Sequence, residues 1–283
     1  MKHLLKTLTF LLALPIYSHA SEGVLEINQT CAVHIGCFEG DTPGFPVTIN
    51  KITGLSRNFT LTSDLVIASI NTSAIEITTS NVSIDLHGFS ISGVLCTLSD
   101  NNCTPANSGT ASGIKADTDY HNVSVKNGNV VGLAHHGIEL WGKNSTVENV
   151  TAKWNKSIGI RAGDFAKIVG NIVIQNGDKG ILVQSAAIVN DNVVGLNIGD
   201  GIFSNNAVIV KGNTVYENLE DGIDVFNGSF VKGNSAYNNV GYGLRLTSST
   251  AYSDNVLISN DEGSVTGGIN TGANVCGPST ICP

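Results

Sequence analysis

The chain has 283 residues, with 15 basic against 23 acidic side chains and a net charge of −8. That length is enough for one or two domains with a buried core, and an acidic balance without any basic run argues against nucleic acid or an anionic membrane surface as partner. No stretch reaches the roughly 18 apolar residues of a membrane span, so no membrane insertion is expected.

Residues 1–20 read as a secretion signal. Lys2 and Lys6 supply a positive start, Leu8 to Ile16 an apolar segment, and Ser18-His19-Ala20 a small-residue cleavage site. A mature chain beginning near Ser21 is expected in the periplasm or outside the cell, and loss of the two lysines takes its net charge to −10. Six cysteines fall in three short pairs, Cys31/Cys37, Cys96/Cys103 and Cys276/Cys282. An even count in an exported chain favours disulfides, and three local loops are the simplest pairing. Metal ligation or free thiols are the competing readings, although no C-x-x-C occurs.

Residues 21–55, with Pro43 and Pro46, show no period and are expected to cap the N-terminal end. A repeat then runs over 56–260. "NVSIDLHGFSISG" from Asn81 parallels "NVSVKNGNVVGLA" from Asn122, and "SAIEI" before it parallels "HGIEL" at 136–140. Residues 94–111 interrupt these copies and are expected to project as a loop stapled by Cys96–Cys103. Farther on stand "NGDKGILV", "NIGDGIFS", "NLEDGIDV" and "NVGYGLRL". The glycines that precede Ile or Leu are Gly113, Gly137, Gly159, Gly180, Gly201, Gly222 and Gly243, at intervals of 24, 22, 21, 21, 21 and 21. Two asparagine series keep step: Asn149, Asn171, Asn192, Asn213, Asn234, Asn255, and Asn155, Asn176, Asn197, Asn218, Asn239, Asn260.

Each repeat holds two or three short alternating runs, too short and of the wrong period for helices. A repeat near 21 residues lacks the leucine frame of a leucine-rich repeat and is too short for a propeller blade. Three short strands with tight turns per repeat predict a parallel β-helix whose coils stack about 4.8 Å apart. Ile138, Ile160, Ile181, Ile202, Ile223 and Leu244 then form one inward stack. Leu140, Ala162, Val183, Ser204, Val225 and Leu246 form a second. The asparagines are expected to serve left-handed turns and to hydrogen-bond up each column as ladders. Residues 261–283 are Gly-rich and are expected to cap the C-terminal end, where an open coil would expose core and strand edges.

Over residues 56–283 these features resemble the right-handed parallel β-helix superfamily, whose best-known members are pectate-lyase-like. The segments "FTLTSDLVIASINTSAIEITTSNVSIDLHGFSISG" and "GGINTGANVCGPSTICP" are also similar to exported bacterial β-helix proteins of unsettled activity. The resemblance implies an all-β, right-handed solenoid with end caps. It implies no single activity, because this fold carries lyases, hydrolases, epimerases, adhesins and phage tailspikes. The N-T-D, D-D, G-H-G and R-I-K segments of polygalacturonase-like hydrolases are absent apart from "HHG" at 135–137. "DTDYH" (Asp117, Asp119, His121) lacks the proline of the D-P-H-D segment of alginate epimerases. No catalytic residue is carried over.

Alternation gives the outward positions instead. One column reads Lys115, Glu139, Arg161, Leu182, Phe203, Asp224, Arg245. The next reads Asp117, Trp141, Gly163, Gln184, Asn205, Phe226, Thr247. Glu139/Arg161 and Asp224/Arg245 are opposite charges one coil apart. Cross-strand pairing explains them without any function. The functional reading gathers His135, His136, Glu139, Arg161 and Asp164 into an acid/base cluster beside Trp141, suited to removing a proton from a uronic acid. Trp141, Phe203 and Phe226 either pack under turns or form a platform for sugar rings, with Asp224 and Arg245 as further contacts. Trp141 is expected to be partly exposed beside a gap at Gly163. Asp200, Glu220 and Asp221 would suit calcium, but Lys179 and Tyr242 occupy the Asp221 position in neighbouring repeats, so no cofactor is expected.

The first functional expectation is a non-catalytic protein that contacts a polysaccharide or cell-surface glycan along the face bearing Trp141. A polysaccharide lyase, hydrolase or epimerase is the second, and a purely structural envelope part the third.

Overall fold

The computed structural model describes residues 23–51, 57–93, 109–277 and 282. The expected secretion signal and most of the projecting loop, with Cys96 and Cys103, lie outside these residues. The chain winds into a solenoid of about ten coils. One parallel sheet has ten strands, one per coil, and the other has nineteen, two in most coils. A regular coil runs through Ile181–Val183, Ile188–Asn190 and Val193–Gly195. Each strand pairs with its copy 21 residues on, as in Ile181↔Ile202, Ile188↔Ile209 and Val193↔Thr214.

The three-residue strands of the ten-stranded sheet read in–out–in. Their inward Ile138, Ile160, Ile181, Ile202, Ile223 and Leu244 are wholly buried, and the second expected stack, Leu140 to Leu246, is buried with them. The facing wall is made of Val173, Val194, Val215, Val189 and Val210. β-Branched side chains suit this pleated surface. The repeated glycine has a different cause. A Cβ on Gly180 would lie 2.4 Å from Val194 Cγ1 and 2.8 Å from Asn197 Nδ2. Space, not a left-handed φ, fixes this position.

Both asparagine ladders form. From Asn171 to Asn234 each Nδ2 donates to the next Oδ1 at 2.9 Å, and the same oxygen accepts the backbone N–H of the asparagine one coil earlier at 2.9 Å. The second ladder, Asn155 to Asn260, has amide contacts of 2.9–3.0 Å. Three details differ from the sequence reading. Asn149 is not a ladder member: it lies level with Gly170 and takes a left-handed φ of 53°, while Val150 holds the ladder position and donates its N–H to Asn171 Oδ1. Asn274 extends the first ladder beyond Asn255 at a spacing of 19 residues. The left-handed residues are those just before the ladder asparagines, such as Asp191 and Asp254 in the first ladder and Gln175, Leu196, Glu217 and Asn238 in the second. The ladder holds such a residue in a conformation it would not choose alone, because two hydrogen bonds to each Oδ1 fix the turn that follows.

The segments expected as caps also supply strands. Val24–Ile27 pairs with Asn58–Leu61, and Val47–Ile49 with Ile75–Ile77, so residues 21–55 contain the first coil. At the other end Gly263–Thr266, Ile269–Asn270 and Val275–Cys276 continue both sheets. Disulfides Cys31–Cys37 and Cys276–Cys282 staple these two ends, paired as expected. That oxidised state is consistent with export. No helix among the described residues is long and apolar enough to cross a membrane.

Candidate functional site

Strand register builds the outer column of the ten-stranded sheet directly. Lys115, Glu139, Arg161, Leu182, Phe203, Asp224 and Arg245 are Cα partners in successive coils. Two charged arrays form along it.

The first array is closed. Glu139 points away from the core side of its sheet but is only 6% exposed, because its neighbours fold over it. Trp141 Nε1 donates to its Oε1 at 3.1 Å, and Ser112 Oγ donates to its Oε2 at 3.1 Å. Arg161 Nη1 stands 3.7 Å from Oε1, and the guanidinium stacks 3.7 Å over the Trp141 ring. Burial holds the Arg161 guanidinium below its ordinary pKa, although Glu139 and Asp178 oppose this. His136 is buried; burial, then His135 and Arg161, push its pKa down to about 3 and keep the ring neutral. His135 stacks on it at 3.7 Å and is lowered too, chiefly by burial.

His135, His136 and Glu139 lie close enough to share an ion. The donor set does not fit one. His136 Nδ1 accepts the Ile158 N–H at 3.2 Å, and Nε2 stands 3.0 Å from Arg161 Nη1, so both ring nitrogens are turned toward N–H groups and neither is open to an ion. The guanidinium already supplies the positive charge here. Asp164 does not join the array; its Oδ1 accepts the Ser185 N–H in the next turn. Trp141 is partly exposed, as expected, but the gap at Gly163 is absent. A Cβ there would fall 2.2 Å from the Trp141 carbonyl oxygen, so glycine is needed for backbone contact and leaves no room for a ring.

The second array is open. A groove of about 440 Å³ runs beside Phe203, Asp224 and Arg245, floored by Lys179, Asp200 and Asp221 and walled by Leu219 and Val240. Asp200 and Asp221 are each 5% exposed. Asp200 Oδ1 accepts the Asp221 N–H at 3.1 Å, and Asp221 Oδ1 accepts the Tyr242 N–H at 2.6 Å, one coil to the next. Lys179 Nζ lies 3.2 Å from Asp200 and 3.8 Å from both Asp178 and Glu220. Burial opposes its charge, but these acids outweigh burial and hold its pKa above the ordinary value. Arg245 is aligned with Asp224 in the sheet, yet its Nη1 goes to Asp221 Oδ2 at 3.3 Å. The Asp224 carboxyl group makes no hydrogen bond or ion pair with the described residues, although its backbone is part of the sheet. Burial, then Asp200 and Asp221, push its carboxyl up to about 6 against the pull of Arg245 and Lys179. Phe203 and Phe226 meet edge to face with centroids 5.5 Å apart, and Lys179 Nζ lies 5.3 Å from the Phe203 ring. The aromatics therefore form two separate groups, Trp141 in the closed array and the two phenylalanines at the groove.

Lys179, whose place in the Asp200/Asp221 column counts against calcium, is the ion partner of Asp200, Asp178 and Glu220, while Asp221 pairs with Arg245. Among the described residues, the three acids that would suit calcium by residue type, Asp200, Glu220 and Asp221, do not form a group spaced to hold a metal.

No protein-family model matches the sequence, and no curated protein matches it. Solved structures do. The Dettilon tailspike protein gp208 is similar with a TM-score of 0.55 at 15% identity, over 89% of this chain and 54% of that one. Two mutant forms of the periplasmic alginate epimerase AlgG are similar with TM-scores of 0.50, at 16% and 14% identity, over 75% and 87% of this chain and 60% and 71% of those. The chain is a right-handed parallel β-helix. Identity this low establishes the fold of the β-helix and nothing finer, and the helix spans about half the length of the tailspike.

Proposed function

We propose that this exported β-helix binds a glycan chain along the outer face of its ten-stranded sheet, without chemistry of its own. The groove beside Phe203 carries the reading: an aromatic ring, two aliphatic walls and a few charged groups converge on an open slot, the composition of a sugar subsite. One similar fold is named as an alginate epimerase, a protein that acts on a polysaccharide, and this supports a glycan as partner. Periodic coils suit a polymer, since successive strands offer similar positions at a spacing of about 4.8 Å. In this reading Trp141, Glu139, Arg161 and the histidines brace the face. A panel of soluble polysaccharides, assayed for both retention and product release, tests it. Retention without products is expected; failure of every polysaccharide to bind overturns it.

A second reading, a polysaccharide lyase, hydrolase or epimerase, is favoured by one observation. An unpaired Asp224 with a pKa of about 6 is poised to exchange a proton near neutral pH. New reducing ends or unsaturated products from the panel, lost in Asp224→Asn, would establish it in place of the first.

A further inference from the structure

We infer that the groove selects a glycan bearing free amines, an amino-sugar polymer, over neutral and uronic-acid chains. The inference rests on the glycan reading above and adds the charge class. Five carboxylates line the slot, Asp200, Asp221, Asp224, Glu220 and Glu262, against only Lys179 and Arg245. Both cations are engaged. Lys179 is shared by Asp200, Asp178 and Glu220, and Arg245 reaches Asp221. A uronic-acid chain would bring further carboxylates to a slot with no free cation to receive them, a like-charge juxtaposition that costs affinity. An ammonium group finds the opposite. Asp224 faces the slot without a hydrogen-bond partner, next to Phe203, whose ring face accepts either a cation or the apolar side of a sugar.

Two features separate this ligand from a bare cation. The acids are spread along the groove and, among the described residues, do not form a set spaced around one ion. The slot also has walls that an ion does not use: Leu219 is 57% and Val240 45% exposed, in register one coil apart beside the acids. Apolar walls over a negative floor match a pyranose ring that carries an ammonium. The first array has no net charge to offer, since Arg161 neutralises Glu139 and both histidines stay neutral, so the charge preference belongs to the groove alone.

The test is a titration of the full mature chain with chitosan hexasaccharide, its fully N-acetylated form and a galacturonate hexamer, near neutral pH in low salt. Two or three ammonium–carboxylate contacts of the exposed kind should favour the amine form by about tenfold over the acetylated form. That preference should fall toward unity in high salt and in Asp224→Asn. Asp224 anchors nothing in the fold, so the variant stays folded, which a melt confirms. Equal or tighter binding of the acetylated or uronic oligomer overturns the charge assignment while leaving a glycan site. Binding of none of the three, with the wider panel also negative, overturns both readings. Retention of the full preference in Asp224→Asn, or displacement of the oligomer by millimolar calcium alone, also overturns the assignment.

Discussion

Two charged arrays stand a few coils apart on the same face, built from the same two columns, and their side chains are used differently. In the first, most polar groups are spent on their neighbours, although Arg161 Nε is buried without a hydrogen-bond partner among the described residues. Glu139 takes bonds from Trp141 and Ser112, Arg161 lies between Trp141, Glu139 and His136, and the result is nearly closed to solvent. In the second, the charges are only partly spent. Asp200 and Asp221 are buried and paired, while Asp224 faces an open slot with no partner. Opposite charges one coil apart in sequence therefore do not mark a site. What distinguishes them is whether a large side chain nearby covers the pair. Trp141 does so in the first array; the turn of Phe203 toward Phe226 leaves the groove open in the second.

This contrast gives predictions of opposite sign. The largest effect is at Glu139. Glu139→Ala leaves Arg161 and His136 facing each other over a buried gap and should cost about 3 kcal/mol in denaturant melts, as for breaking a buried ion pair. A loss within experimental error would mean that the array is not closed.

His136 should dominate the acid limb of stability. Its folded pKa of about 3 lies below the ordinary 6.5, so the unfolded chain takes up a proton that the folded chain refuses. Stability should fall by about 2–3 kcal/mol as pH drops from about 6.5 to about 4.5, and His136→Gln should flatten that limb. An unchanged slope would place the ring in contact with water.

The ladders offer a scale between the arrays. Asn213→Ala or Asn218→Ala strands the amide and backbone N–H of the coil before and should cost about 1–3 kcal/mol. In sequence the column of Asp221 also holds Lys179 and Tyr242, which by itself implies that replacing Asp221 matters far less. Its burial and its bonds to Tyr242 and Arg245 instead place Asp221→Ala in the same range. A negligible loss would restore the sequence expectation.

The smallest effect has the opposite sign. The carboxyl of Asp224 is raised from 3.8 to about 6, so its charge destabilises the fold above pH 6. Asp224→Asn should gain about 1 kcal/mol at pH 7 after allowing for solvent screening, and the gain should vanish as pH falls below 3.8. A loss at neutral pH would show that the carboxylate has a partner.

The solenoid was legible in the sequence because its period is enforced by packing that tolerates few alternatives. Gly180 has no room for a Cβ, and each ladder asparagine serves two coils at once. The first coil was less legible, since Val24–Ile27 and Val47–Ile49 carry neither signature. The outward column was legible too, because alternation fixes it. Exposure was not. Alternation says that Glu139 leaves the core but cannot say that Trp141 and Arg161 will cover it. Lys179, Asp200 and Asp221 lie at a corner, where no period tells which way a side chain turns, so their meeting with Asp224 emerges only once the coils are stacked.

The most direct test of glycan binding at the open array compares Phe203→Ala with Trp141→Ala against whichever polysaccharide the wild type retains best. Loss of the Phe203 ring should weaken binding by about tenfold, the worth of one good aromatic contact, while Trp141→Ala keeps wild-type affinity and shows its effect in stability alone. Binding lost in Trp141→Ala and kept in Phe203→Ala would contradict the account and move the site to the array described here as closed.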